Sequence, residues 1–504
     1  MKTHRTVSTL PARSLLCCAL AASLFATTPA MAQSSNATLR GQVASAQSGS
    51  EVVVTNVATG SVRRAPVNAN GNYTIVGLQP GTYKVESNGI SRTVTLSVAS
   101  SATVDLGNET AAAPAGDATT LDTVTVSAPM IRDVKTSEVG NTVSLRQIQQ
   151  LPQATRNFLE FADTVPGMVF TIDQDGNTKL RGGASNASSS NLYIDGVSQK
   201  SYVSGGGIAG QDETQGNPFP QLAIGEYKVI TSNYKAEYGQ ISGAAITAAT
   251  KSGTNEFHGE AFYRFTNQDL RERRPDEEDA KVDSQTKEYG FAIGGPLIQD
   301  RMHFFFAYEG KDNVAPKSVQ PSAEASPFIG LLPSNLRDQY GASNMPFTED
   351  LYFGKIDFEP TDNDRIELAT QYRDETQVSN VGGQNAPDRA VDKINKDKRT
   401  SLRWQHSADS WFNEAILTTE DSRNVPTPRG VGNGSIYTYI DRTQADPRQW
   451  VFLNTGAASG EDFKLRSQKG WSFQNDLTFN ALEWHGEHTI KTGVTYRDIK
   501  LTSR

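Results

Sequence analysis

The sequence predicts a mainly β protein: an N-terminal β-sandwich, an α/β domain, then the first part, about nine strands, of an antiparallel transmembrane β-barrel. Three observations lead there. Residues 237–265 pass from a run of small residues (Gly239, Gly243, Ala244, Ala245, Ala248, Ala249), through the polar turn 250–255, into an alternating strand. In that strand Phe257, Gly259, Ala261, Tyr263 and Phe265 share one side, and His258, Glu260, Phe262 and Arg264 the other; period-two alternation makes a sheet with two unlike faces. Beyond it, segments of about ten residues keep alternating while their connections are by turns short and long, the pattern of a barrel with one short-turned and one long-looped end. Finally, mean hydropathy is −0.49 with 37% hydrophobic residues. No uncharged apolar run of about 18 residues follows the N-terminus, which excludes a helical membrane protein but not a barrel, whose strands show lipid only every second residue.

Residues 1–32 read as a secretory signal. Lys2, Arg5 and Arg13 form a basic start, 15–25 an apolar core, and Ala30-Met31-Ala32 a small-x-small cleavage site, so the mature chain begins at Gln33. The core, roughly a dozen residues, is too short for a membrane anchor. The chain's 2 cysteines, Cys17 and Cys18, both fall in the signal, which leaves the mature chain no thiol, disulfide or cysteine metal site. The chain of 504 residues carries 48 Lys+Arg and 56 Asp+Glu, a net charge of −8; loss of the three basic signal residues leaves 45 against 56, or −11. Such an acidic exported chain is not expected to bind nucleic acid.

Residues 36–106 form a first unit. Short β-rich runs at 39–43, 51–56, 72–76, 82–87 and 91–98 are separated by turn signals, among them Asn70-Gly71, Pro80-Gly81 and Asn88-Gly89. Runs this short and regular predict a small two-sheet sandwich with Tyr73 and Tyr83 packed between the sheets. The pattern Gly71-x-Tyr73-x-Ile75-x-Gly77-Leu78-x-Pro80-Gly81-x-Tyr83-x-Val85 resembles the carboxypeptidase-regulatory-like, transthyretin-type domain, a name that describes a fold and not an activity.

Residues 107–129 are a linker. Its first part, 107–120, is small and polar and cannot bury a core. Then comes a β-prone string, Asp122-Thr123-Val124-Thr125-Val126. A partner can capture such a string on a flexible leash by adding it as a strand to its own sheet; main-chain hydrogen bonds then give affinity and alternate side chains, Val124 and Val126, some specificity. An ordinary edge strand would look the same. The string resembles the TonB box.

Residues 130–254 read as a mixed α/β domain. Ser144 caps a short helix stopped at Leu151-Pro152, and a second helix spans 157–163. A strand pair lies around Leu180-Arg181-Gly182-Gly183 and Asn191-Leu192-Tyr193-Ile194-Asp195-Gly196, followed by a strand at 224–230 and a turn at Glu237-Tyr238-Gly239. The glycine-rich segment 201–219 reads as a mobile loop near a ligand face. In order and spacing, the Arg181-Gly182-Gly183, Tyr193-x-Asp195-Gly196 and Glu237-Tyr238-Gly239 motifs are similar to those of the plug domain of TonB-dependent outer-membrane receptors, and 237–265 resembles their plug-to-barrel junction, especially in the Oar-like branch.

Residues 255–504 supply the barrel strands, at 257–265, 287–297, 302–308, 351–358, 365–373, 399–406, 411–419, 471–480 and 487–497. The cleanest alternation sets Ile366, Leu368, Thr370 and Tyr372 against Arg365, Glu367, Gln371 and Arg373. Tyr289, Tyr308, Tyr352, Tyr372, Trp404, Trp411, Trp471 and Trp484 near strand ends fit interfacial girdles. No repeat of about 40–50 residues marks a soluble propeller. Plugged barrels of the resembled class close with about 22 strands, so nine are read as the N-terminal part of a longer receptor, a truncated barrel.

No catalytic motif is present, and no cofactor is expected. His485-x-x-His488 falls at an expected turn, and Asp173-x-Asp175-Gly176-Asn177 lacks the distal carboxylate of a calcium loop, Ala184 standing there. The acidic run 276–279 reads as a solvated loop tip. The resemblance implies a receptor in the outer membrane with its N-terminal domain in the periplasm. It would bind an extracellular ligand, contact outer-membrane lipid, and import that ligand when a TonB-type energy-transducing protein pulls on 122–126. The alternative is an adhesion or signalling protein whose sandwich is the binding module.

Overall fold

The computed structural model describes residues 35–44, 49–107, 132–133, 137–173, 176–183, 185–203, 208, 214–273, 281–443, 447–457, 464–483 and 487–504. The expected signal, the string 122–126, the acidic run 276–279 and Trp484 lie outside them.

The N-terminal unit holds β1 (Ala37–Gln42), β2 (Glu51–Asn56), β3 (Val62–Pro66), β4 (Asn72–Leu78), β5 (Gly81–Ser87), β6 (Ile90–Leu96) and β7 (Ser101–Thr103). One sheet is ordered β4-β1-β7 and continues into β8 (Arg132–Asp133); the other is β3-β2-β5-β6. Tyr73 and Tyr83 are buried between them, their hydroxyls donating to Val104 O (2.6 Å) and Gln79 O (2.8 Å). The Asn88-Gly89 turn joining β5 and β6 has both residues at positive φ (48° and 77°), the backbone a two-residue hairpin turn requires. The unit has two strands more than expected: β3 is masked in sequence by Arg63 and Arg64, and β7 is three residues long.

The inner domain contains β9 (Val139–Val143), α1 (Leu145–Gln150), β10 (Met168–Ile172), β11 (Thr178–Gly182), β12 (Asn191–Ile194), β13 (Val197–Ser198), β14 (Ile224–Ser232) and β15 (Ala245–Thr250). Its main sheet is ordered β13-β12-β15-β14-β9. Ser144 caps α1 in a capping box with Gln147, while the second expected helix is a 3₁₀ turn, Phe158–Thr164, capped by Asn157. Strand β15 is a correction. The small residues 245–250 form the middle of the sheet, parallel to β12 and antiparallel to β14. All six are buried, and a strand covered on both faces does not alternate. The described ends of the glycine-rich segment 201–219 pack inward: Ser201, Val203, Thr214, Gln215, Asn217 and Phe219 are buried, while Tyr202 is exposed.

The third sheet is antiparallel: β16 (His258–Asn267), β17 (Gln285–Ile298), β18 (Met302–Val319), β19 (Gly341–Phe358), β20 (Asp364–Ser379), β21 (Val391–Ser407) and β22 (Trp411–Pro428). After an unexpected hairpin of β23 (Ser435–Asp441) and β24 (Arg448–Thr455), it continues with β25 (Arg466–Glu483) and β26 (Glu487–Ser503). The nine expected strands are all present, but longer. At ~3.4 Å per residue, β19 with 18 residues is about 60 Å long, more than twice the ~25 Å apolar band of an outer-membrane barrel. The outer halves are polar and hide among what sequence reads as loop. Pro316, Pro346 and Pro426 occur there, each beyond the last registered pair on one side, where a missing N–H costs no ladder bond.

Burial in this sheet is inverted relative to a soluble protein. Across six neighbouring strands Ile356, Leu368, Leu402, Leu417, Phe473 and Tyr496 stand in one register row, and all are exposed. The residues beside them point inward and are buried and charged, among them Lys355, Asp357, Glu367 and Arg403. Tyr289, Tyr308, Tyr352 and Tyr372 form an outward ladder toward the long-loop end, with centroids 6.2, 5.0 and 6.1 Å apart in succession. Toward the short-turn end Trp404, His406 and Trp411 form a second cluster (6.0 and 5.1 Å).

Candidate functional site: the charged seam between inner domain and barrel wall

The inner domain meets the inward face of the large sheet through polar contacts. The Asp195-Gly196 turn between β12 and β13 has both residues at positive φ (47° and 78°). It delivers the Asp195 carboxylate to Thr250, which donates from N (2.9 Å) and Oγ1 (2.5 Å). From the wall, Lys355 Nζ donates to Thr250 Oγ1 (2.7 Å) and lies 3.6 Å from Asp195 and 3.7 Å from Glu367. The chain of alternating charge continues along the wall: Arg365 is 3.2 Å from Glu367 and 3.8 Å from Asp357, and Arg403 is 3.9 Å from Glu367 and 3.6 Å from Glu414. These side chains are nearly sealed from solvent, which is sustainable only because each charge faces opposite charges.

Further contacts stitch the same interface. Arg399 donates to the carbonyls of Ser198 (2.9 Å) and Lys200 (3.4 Å) while paired with Asp397 and Glu420. Glu309 accepts from Leu222 N (2.6 Å) and pairs with Arg156, whose guanidinium lies over Phe262. Glu349 accepts from Asn217 N (2.7 Å), beside Phe219, whose ring packs at a tilt on Phe353 (4.9 Å).

The expected motif residues divide. Asp195 and Gly196 form the seam turn at Thr250 and Lys355, while Tyr193, Tyr238 and Gly239 come together beside it: Tyr193 donates to Gly239 O and packs on Tyr238 (5.7 Å), and the adjacent Glu237 pairs with Lys491 of β26. Burial pushes the Tyr238 hydroxyl well above its ordinary pKa, and the Glu237 and Glu138 carboxylates add to the effect. Arg181, Gly182 and Gly183 do not join the seam. Arg181 is exposed on β11, Gly182 abuts Ala244 so closely that a Cβ would sit 3.0 Å from it, and Gly183 turns at φ 58°. Sequence alternation placed Lys355, Glu367 and Arg365 on one face; it could not show that Asp195 and Thr250 meet them, because those contacts join residues more than a hundred positions apart. Asp173 closes a tight turn, accepting from Gly176 N (3.0 Å) and Asn177 N (2.9 Å), and among the described residues no group of three or more His, Cys, Asp or Glu is placed to hold a metal.

Residues 249–325 match the family model of an outer membrane beta barrel domain. The TonB-dependent transporter Oar of Myxococcus xanthus is 27% identical over 314 residues, covering 57% of this chain and 28% of Oar. The chain is a homologue of a TonB-dependent transporter. Its fold agrees. The outer membrane transporter YddB of Escherichia coli superposes with a TM-score of 0.54 at 13% identity, covering 71% of this chain and 48% of that one. A mutant of the ferric enterobactin receptor PfeA of Pseudomonas aeruginosa gives 0.50 at 14%, covering 72% and 49%. The chain thus spans about half the length of the solved receptors it matches. These relatives are transporters and receptors, not enzymes.

Proposed function

We propose that this chain is an outer-membrane receptor that binds an extracellular ligand and imports it with inner-membrane energy delivered through Asp122–Val126. The observation that carries the reading is the buried charged seam behind an exposed apolar wall. A wall that faces lipid has no use for inward charges unless they hold something polar. Polar, paired contacts can exchange for water when the inner domain shifts, whereas a fused hydrophobic core would resist it. The inner domain is thus read as a plug, 130–254, and 255–504 as barrel. Lipid would contact the row through Leu368, and a TonB-type protein would capture 122–126 as an added strand. An ordered plug that rearranges under pull is an order–disorder transition biased from both ends.

The adhesion alternative is disfavoured by the sandwich's position. It contacts the short-turn end of the wall at Asp300, Glu359 and Phe412, away from the long connections. That position supports a periplasmic sandwich. Deletion of 122–126 tests the reading: uptake should be lost while ligand binding at the cell surface is retained. Undiminished uptake by the deletion would defeat the reading.

A further inference from the structure

The sandwich is seated, not merely tethered. On the barrel rim, Ser61 Oγ donates to Glu359 (2.6 Å), and Arg63, itself buried, lies 3.6 Å from the same carboxylate and donates to Asp362 O. Asn255 N, at the plug-to-barrel junction, donates to Ala58 O (2.9 Å). Gly77, at φ 80°, lies against the Phe412 ring so closely that a Cβ would stand 2.2 Å from it. Only a residue without a side chain permits that approach.

A second set of contacts joins the sandwich to the edge of the plug sheet. Lys228 on β14 donates to Ala99 O of the sandwich (3.3 Å) and to Glu138 (2.7 Å), the residue preceding edge strand β9. Val98 N donates to Glu226 on the same strand. The string 122–126 lies in sequence between β7 and β8, and these two strands are paired, Ala102 with Asp133 and Thr103 with Arg132. A pull on the string therefore loads the sandwich edge first. Among the described residues, the next contact along the chain is Glu138–Lys228, which also bears on the sandwich. Only then does β9 come under load.

We propose that the docked sandwich is a second, detachable stopper over the short-turn mouth, released by traction on 122–126 before the plug edge moves; the proposal rests on the receptor reading above. Docking is an equilibrium of the resting protein and needs no energy, so it can be read separately from transport.

The only native cysteines lie in the expected signal, which suits a cross-link. The pair Ser61→Cys/Glu359→Cys is introduced, with Ala58→Cys/Asn255→Cys as an independent second pair should the first disturb the rim. Disulfide yield is measured in isolated outer membranes, in energised cells, in cells treated with a proton ionophore, and in energised cells lacking 122–126. Most chains should cross-link in membranes and in ionophore-treated cells. The yield should fall several-fold in energised cells, and that fall should vanish with the deletion. Absence of cross-linking by both pairs in membranes would overturn docking. Efficient cross-linking that is the same with and without energy would overturn traction-driven release. Failure of the receptor reading itself shows instead as uptake that survives loss of 122–126, a measurement that uses no cross-link.

Discussion

Replacing Leu368 by arginine separates a lipid-facing wall from a soluble sheet. Leu368 is 48% exposed and sits between Ile356 and Leu402, 39% and 46% exposed, in the middle of the apolar row. No cavity forms and no packed core is lost, so a water-facing site would tolerate the change within about ±0.5 kcal/mol. In a bilayer the same change places a guanidinium near the midplane. That costs about 2–4 kcal/mol, and forfeiting the leucine adds about 0.5 kcal/mol. At ~1.4 kcal/mol per tenfold, the folded-to-unfolded ratio should drop by roughly two to three orders of magnitude. Thr348→Arg is the control, on the same outward face of β19 but beyond the tyrosine ladder; it should cost under about 1 kcal/mol. Denaturant unfolding of the protein reconstituted in phospholipid vesicles supplies both values. Equal, small costs at the two sites would refute the lipid-facing assignment and with it the barrel.

Two further outcomes follow from the seam and from the sandwich. Asp195→Asn keeps the positive-φ turn, which asparagine tolerates, but strips the charge facing Lys355; it should destabilise by about 2–4 kcal/mol in the same assay. That is less than the about 3–5 kcal/mol of a fully orphaned buried charge, because Glu367 remains 3.7 Å from Nζ. Adding Lys355→Met should restore part of the loss, and a double mutant no better than Asp195→Asn would show that the two groups are not coupled. Burial raises the Glu226 carboxyl above its ordinary value, the hydrogen bonds from Val98 and Ser97 offsetting only part of the effect. A raised acid favours the buried, protonated form, so its contribution to docking is complete below the ordinary carboxyl value and declines as pH rises through the shifted one. Cross-link yield in isolated membranes should therefore fall with rising pH in that window, and Glu226→Gln should flatten the profile; an unchanged profile in the glutamine variant would assign the dependence elsewhere.

Much of the architecture was legible because barrel strands write their environment into a two-residue period. Ile366, Leu368, Thr370 and Tyr372 against Arg365, Glu367, Gln371 and Arg373 is a one-dimensional record of the outward against the inward face of the sheet. Turn chemistry was equally local: Asn88-Gly89 marked a turn, found with both residues at positive φ, and Ser144 marked a helix cap, found as a capping box with Gln147. What failed to show were strands without a readable alternation of their own. The small-residue strand Ala245–Thr250 is buried on both sides, the outer half of Gly341–Phe358 buries only Met345, Phe347 and Glu349 among polar residues, and the hairpin Ser435–Asp441 with Arg448–Thr455 is held by a local aromatic cluster in which Tyr439 stacks on Phe328 and Trp450.

The order of sandwich, inner domain and barrel strands, and which side chains each strand turns inward, were determined by the sequence alone, since both depend on neighbours within a few residues. Which inward charges pair was decided only in three dimensions. Lys355 finds Asp195, Glu309 finds Arg156, and Arg63 finds Glu359 across separations of more than a hundred residues. A buried charge must be matched by whichever opposite charge the closed fold brings within a few ångströms, and chain distance carries no information about that meeting.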